Sequence, residues 1–284
     1  MWMGIEATQM QGQMFTAGTR PDRAVLRIAG ADSRHFLQNL LTADIDHLAP
    51  GDATYAALLS PQGKILSDLF VVAEADGFLI DCAASQKADL MKKLTLYRLR
   101  AAVTITDLPD KAIRVSPAEI PGGWPDPRLP AMGWRGLVDR TATPSPDYDA
   151  ARIAAGLADS DADIGTNQLF PHEANLDQLG GVSFDKGCYI GQEVVSRMEH
   201  RGTARSRILP LALSAPAPVS GMEIRAGDKL VGTMLSSAGS RALGLIRLDR
   251  LAEAAAPLLT DAVTVQVQKP AWVRYEVPGA EATA

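Results

Sequence analysis

Regular patterning begins at "AVLRIAG" (Ala24–Gly30), where apolar and polar positions alternate up to a glycine, as in a half-buried strand. The period then lengthens. In "RHFLQNLL" the residues Phe36, Leu37, Leu40 and Leu41 fall on one helical face, behind Asp32 or Ser33 as cap. "ATYAALLSPQGKILSDLFVVAEADGFLIDCA" predicts three strands, Thr54–Leu59, Lys64–Ala73 and Gly77–Ala83, turned by Ser-Pro-Gln-Gly and Ala-Asp-Gly. "SQKADLMKKLTLYRL" predicts an amphipathic helix capped by Ser85, and "AAVTITDL" a return to strand. This succession is an α+β layout with helices on one face of an antiparallel sheet.

Prolines then become dense. "SPAEIPGGWPDPRLPAMGW" and "TATPSPDYDA" predict loops around a short strand at Trp134–Asp139, and Tyr148–Leu157 predicts a helix. After the linker "LPLALSAPAPVSGMEI", short strands with small-residue turns predict a C-terminal β-barrel from about Arg207. The expected division is a loose extension over residues 1–22, an α+β region over 23–206 and a barrel domain over 207–284.

Composition adds mainly exclusions. A chain of 284 residues with 46% hydrophobic positions can build a large core and about two domains. A net charge of -5 gives no support to wholesale electrostatic binding of nucleic acid. Two cysteines, Cys82 and Cys188, form neither a disulfide framework nor a Cys-x-x-Cys metal site, and no resident metal is expected. They fall short of the roughly four thiolates that a self-sufficient iron–sulfur site uses. No apolar run approaches the roughly 20 residues of a membrane span. The first residues lack a basic segment followed by an apolar core, and no arginine precedes Arg20. The expectation is a soluble cytoplasmic protein.

Candidate chemistry concentrates in "FDKGCYIGQEV" (Phe184–Val194). A lone cysteine is usually a small buried hydrophobe, which suits Cys82 in "GFLIDCA". Cys188 has a second reading. Lys186, two residues away, would favour the thiolate by its charge, and Gly187 and Gly191 let the backbone present a side chain in a turn. In "LFPHEANLD" the Glu173 carboxylate could accept two parallel N–H bonds, or could be ordinary solvated surface. In "YAALLSPQGKILSDL", Tyr55 and Asp68 bracket a plain hairpin. "RMEHRGTARSR" carries Arg197, Arg201, Arg205 and Arg207, which suit a solvated face or an anionic partner. RNA binding there is disfavoured, because no aromatic residues interleave the arginines.

Together these stretches carry a resemblance. "KGCYIGQE" resembles the signature of the YgfZ family, relatives of the glycine-cleavage T-protein, an aminomethyltransferase. The YgfZ family includes a mitochondrial iron–sulfur assembly factor. "GADSRHFLQNLLTADI", "GDATYAALLSPQGKILSDLFVV", "YRLRAAVTI", "FPHEANLDQLGGVSFDKGCYIGQEV" and "KLVGTMLSS" follow in the family's order and span most of the chain from about Arg23. The resemblance implies a T-protein-like fold: ferredoxin-like α+β units around a central folate cavity, with a C-terminal β-barrel. It implies tetrahydrofolate as cofactor. Glu173 would hold the pterin edge, Tyr55 and Asp68 would line the cavity, and Gln192, Glu193 and Arg197 would lie near it.

One departure bears on activity. T-proteins carry Asp-Asp in the turn that here reads "GKILSDL", so Ser67 stands at the first acidic position and only Asp68 remains. A hydroxyl does not replace a carboxylate in handling a proton. The expected function is therefore not classical aminomethyl transfer. It is folate-dependent support of [4Fe-4S] assembly or repair in client enzymes, radical enzymes that modify tRNA among them. Cys188 would be the working thiol, assisted by Lys186. Expected partners are folate and iron–sulfur client or assembly proteins, with the chain a monomer or weak dimer. The alternative is a folate-dependent aminomethyl- or methyltransferase.

Overall fold

The structure, a computed structural model, describes residues 15–140, 143–202 and 204–282. In chain order the elements are β1 (Gly18–Arg20), β2 (Arg23–Ala29), α1 (Ser33–Gln38), β3 (Ala53–Leu59), β4 (Ile65–Glu74), β5 (Gly77–Ala83) and α2 (Lys87–Arg98). Next come β6 (Thr104–Asp107), β7 (Lys111–Ser116), β8 (Trp124–Pro125), β9 (Trp134–Asp139), α3 (Tyr148–Ala154) and α4 (Gln192–Arg201). The C-terminal part holds β10 (Ser206–Leu213), β11 (Glu223–Ala226), β12 (Lys229–Ala238), β13 (Arg241–Arg247), α5 (Leu248–Ala252), β14 (Leu258–Thr260), β15 (Val263–Lys269) and β16 (Glu281–Ala282).

The first sheet runs β3-β4-β5-β2-β6, antiparallel throughout. Its side-chain alternation feeds two cores. Leu26, Ile28, Leu69 and Val71 meet Leu37 of α1 and Leu90 and Leu94 of α2. Val25, Tyr55, Phe70 and Val72 face the other way, toward residues of the second sheet such as Ile113 and Val115. Both faces are thus buried, which explains the near-continuous apolar run of β4. Ser67 and Asp68, adjacent in that run, point to opposite sides of the sheet.

The second sheet, β1-β7-β9-β8, includes three strands that the hydrophobic pattern did not predict, β1, β7 and the two-residue β8, which lies in a stretch expected to be loop. Of the expected loose extension, residues 1–14 lie outside the described residues. From Phe15 onward the segment is ordered: Phe15 is buried and β1 pairs with β7. The third sheet closes on itself, β10-β13-β12-β11-β14-β15 with β15 returning to β10, a six-stranded barrel carrying β16 at its side. The barrel is tied back by Ile208 N donating to Glu173 O at 2.8 Å and by Trp272 Nε1 donating to Ala155 O at 3.0 Å. Among the described residues no helix is long and apolar enough to cross a membrane.

Candidate functional site

Cys188 sits on the loop that leads into α4, and it is exposed. Cys82 is sealed on β5, where burial pushes its thiol up to about 12. Two features fix the Cys188 loop. Gly191 caps α4 with φ +81°, and a Cβ there would lie 2.7 Å from Ser60 O and 3.0 Å from Gly63 Cα, so only glycine lets the loop lie on the β3–β4 turn. Lys186 supplies the second anchor. Its Nζ donates to the carbonyls of Gln38 (2.6 Å), Leu41 (2.9 Å) and Ala43 (2.6 Å), at the end of α1 and just beyond it.

This corrects the expected role of Lys186. Its three N–H donors are engaged by three carbonyls, so it positions the loop and is not an amine held at the thiol. Burial pulls its ammonium down to about 8, against the attraction of Asp44 and Asp46. Lys186→Met is expected to cost roughly 2–4 kcal/mol, because carbonyls shielded from water lose their donor. A pH signature separates this from simple loss of packing. Between about 8 and the ordinary 10.5 the unfolded chain holds a proton that the folded chain has released, so stability rises with pH across that window. Urea midpoints measured on either side of pH 8 should show a rise in wild type that Lys186→Met lacks.

The segment "FPHEANLD" serves as a hub. His172 Nε2 lies 3.1 Å from Glu199 Oε2 on α4, and its ring lies 6.1 Å from that of Phe184. Asn175, at φ +59°, donates to Ile208 O (2.6 Å) and accepts from Tyr275 Oη (2.9 Å). Arg207 is buried against Asp177 at 2.6 Å, which removes it from the expected basic face. Ligand atoms of His172, Asp177 and Glu199 lie within 4.8 Å of one another. The Arg207 guanidinium and Gln178 Nε2 already satisfy Asp177, so the trio is accounted for by internal pairing.

The residues expected at folate fall into three places. Tyr55 Oη donates to Asp68 Oδ2 at 3.0 Å, both side chains buried on the inner face of the first sheet. Burial pushes the Asp68 carboxyl up, against the pull of Arg23, and its Oδ1 has no partner. Glu173, half-buried, accepts from its own turn at Phe170 N, 2.9 Å away. Glu193 and Arg197 pair with each other on the exposed side of α4, and Gln192 opens that helix. None of these four bonds to Tyr55 or Asp68.

What does crowd the centre is a set of arginines absent from the expected site. The guanidinium groups of Arg135, Arg128 and Arg23 lie 4.1, 4.8 and 5.5 Å from the ring centroid of Phe70. Arg128 is clamped by Asp126 (3.0 and 2.8 Å) and Tyr148 Oη (2.9 Å). Arg23 donates to Asp81 Oδ1 at 2.7 Å, and Arg135 Nε donates to Asp81 Oδ2 at 3.2 Å. The space left among them is about 10 Å³, at the roughly 10–15 Å³ floor for a single water. The orphaned Asp68 Oδ1 suits a ligand donor, but tetrahydrofolate does not fit beside Phe70 in this arrangement. A sequence signal for the cluster did exist: "WPDPRLPAMGWRG" places Asp126, Arg128 and Arg135 among tryptophans and prolines.

Comparison with known proteins agrees with this architecture. Residues 23–116 match the model of the GCVT N-terminal domain, and residues 205–275 that of the CAF17 C-terminal beta-barrel domain. The crystal structure of the glycine cleavage system aminomethyltransferase T from Bartonella henselae superposes with a TM-score of 0.73 over 92% of this chain and 87% of that one. At 16% identity that likeness shows the fold alone. The mitochondrial iron–sulfur cluster assembly factor IBA57 of Homo sapiens is 32% identical over 81% of this chain and 76% of its own length. Its homologue in Chaetomium globosum is 31% identical over 67% of this chain, which spans about half of that longer protein (54%). The resemblance to the YgfZ family holds for the fold and the wider group, while the relatives found are IBA57 proteins. They are named as mitochondrial, which overturns the expectation of a cytoplasmic protein. By its identity to the human protein and that coverage, the chain belongs to the family of the iron–sulfur cluster assembly factor IBA57.

Proposed function

We propose that this protein assists the assembly of iron–sulfur clusters in client enzymes and that Cys188 is its working thiol. The observation that carries the reading is the contrast between the two cysteines. Cys82 is sealed, whereas Cys188 is exposed on a loop pinned by Lys186 and Gly191. A side chain displayed at that structural cost suits contact with another molecule. The cluster is cargo here. A single thiolate supplies one ligand of the roughly four that a cluster takes, so the remainder come from a partner carrier or a second copy. The clients we have in view are [4Fe-4S] enzymes, including radical enzymes that modify tRNA.

Anaerobic reconstitution with ferrous iron and sulfide tests the shared-ligand part. The protein alone should hold no stable chromophore. Together with a thiolate-bearing carrier it should yield a cluster-bridged complex by visible absorption and native mass spectrometry, one that is lost in Cys188→Ser. A stable cluster on the isolated monomer would overturn the reading.

Folate binding enters only through a second arrangement, in which Arg128 leaves Phe70 and Asp126 and exposes Tyr55 and Asp68. Calorimetry should then show no saturable heat with tetrahydrofolate unless that cluster opens. Aminomethyl transfer is not favoured. The single acid on this stretch of β4, Asp68, is buried and bonded to Tyr55, and its neighbour Ser67 faces the other side of the sheet.

A further inference from the structure

Ser67 stands where T-proteins carry an acid, and it opens onto a different space from Asp68. Beyond it, between β4 and the N-terminus of α2, lies a cavity of about 210 Å³. Its polar wall includes Ser67, Gln86, Asp89, Lys93 and Asp161, and Leu90 contributes to its apolar wall. It lies on the helix-covered side of the first sheet, whereas Tyr55 and Asp68 face the opposite core.

Two buried atoms in this wall lack partners. Ser67 is 3% exposed and its Oγ makes no hydrogen bond; Gln86 is 9% exposed and its Oε1 makes none. Gln86 is held in one orientation, because its Nε2 donates to Asp161 Oδ1 at 3.3 Å, which leaves Oε1 as the free acceptor. Buried polar atoms are normally paired, so two unpaired ones in a single wall call for a partner. A second oddity lies along the helix. Asp89 and Lys93, one turn apart on α2, both line the cavity, Asp89 exposed and Lys93 half-buried, and among the described residues no ion pair joins them. Ser85, an exposed residue that also lines the cavity, shares its hydroxyl proton between both oxygens of Asp161 at 2.7 Å and fixes that carboxylate in place.

We infer that this cavity binds a small zwitterion of the α-amino-acid class. The ammonium group would donate to Gln86 Oε1 and to the Asp89 and Asp161 carboxylates. The carboxylate would take Lys93 and the Ser67 hydroxyl proton. Each unpartnered group then gains a partner of the right sign. The volume fits, being below the roughly 300–1,000 Å³ of pockets for drug-sized ligands. An ammonium donor also explains why the acceptors outnumber the cations, since –NH₃⁺ offers three N–H bonds. The site is separate from Cys188, so the inference stands or falls independently of the function proposed above.

Titration of the full chain with glycine, L-alanine, L-serine and L-cysteine, followed by amide NMR shifts and calorimetry, tests it. At least one should bind saturably in the millimolar range or tighter. Ethylamine and acetate, each carrying one half of the zwitterion, should bind at least about tenfold more weakly. Lys93→Ala, a change on a helix surface, and Gln86→Leu should each lose at least about tenfold in affinity while the thermal unfolding of the unliganded protein stays within a few degrees. No saturable binding by any of the four amino acids, binding untouched by either substitution, or ethylamine binding as tightly as alanine would each overturn the assignment.

Discussion

Asp81→Ala is expected to cost about 3–5 kcal/mol of stability, because it strands two buried guanidinium groups without their carboxylate. For a chain of this size that is on the order of 10 °C in melting temperature. Asp81 is 1% exposed and takes Arg23 on one oxygen and Arg135 on the other. Burial alone would push its carboxyl up, yet Arg135 and Arg23 together hold it below the usual carboxylate range. A carboxyl whose folded value is depressed contributes stability that is fully present above its unfolded value of about 3.9 and is lost as pH falls through the folded value. The penalty of Asp81→Ala should therefore be full at neutral pH and shrink in acid. Asp68→Asn supplies the contrast. Asp68 accepts from the neutral Tyr55 hydroxyl and its carboxyl is pushed up by burial against the pull of Arg23, so this change should cost less than Asp81→Ala. Chemical unfolding at neutral pH decides it. A loss below about 1 kcal/mol in Asp81→Ala would mean that the arginines around Phe70 are not a structural unit.

That cluster also marks the limit of what the sequence discloses. The first sheet was legible because its evidence is local. Ser-Pro-Gln-Gly and Ala-Asp-Gly turn β3 into β4 and β4 into β5, and the strands lie where their apolar runs put them, within one residue. The barrel was legible from short strands broken by small-residue turns. Helix α4 was not, because Val195 is its single buried residue and, Val194 and Met198 apart, the rest of "QEVVSRMEHR" is polar. The caps also deceived. Ser85 does not cap α2 but binds Asp161, 76 residues away. The same holds for chemistry. Arg23, Asp81 and Arg135 meet across 58 and 54 residues, and nothing in their local sequence announces a shared carboxylate. Lys186 was placed correctly in the motif and misjudged in role, because nearness along the chain says nothing about where a long side chain points. Its true acceptors, Gln38, Leu41 and Ala43, lie more than 140 residues earlier. The exposure of Cys188 was legible for the opposite reason: flanking glycines act on the backbone where they stand.

Cys188→Ala is expected to abolish function and leave the fold untouched, the largest separation of the two that any substitution here should give. The thiol is exposed and no neighbour depends on it for a hydrogen bond, so its loss should change stability by no more than about 0.5 kcal/mol, the usual range for a surface change. Cells that lack the endogenous factor and carry this variant should then show [4Fe-4S] enzyme activity at the level of the empty vector, with the variant protein present at wild-type abundance. Chemistry in the test tube should run in parallel. Iodoacetamide should label Cys188 in the native protein, since a reagent can reach it. Cys82, buried and with its thiol pushed up to about 12, should stay unlabelled until urea opens β5. Lys186→Met should fall between the two, a protein whose thiol is still present but whose loop is no longer held to the end of α1. It should rescue partially, and more so at low temperature, where the loosened loop is better populated in its bound form. Full rescue by Cys188→Ala, with native labelling equal at both cysteines, would reduce "KGCYIGQE" to a packing segment and remove the thiol from any account of how this protein acts.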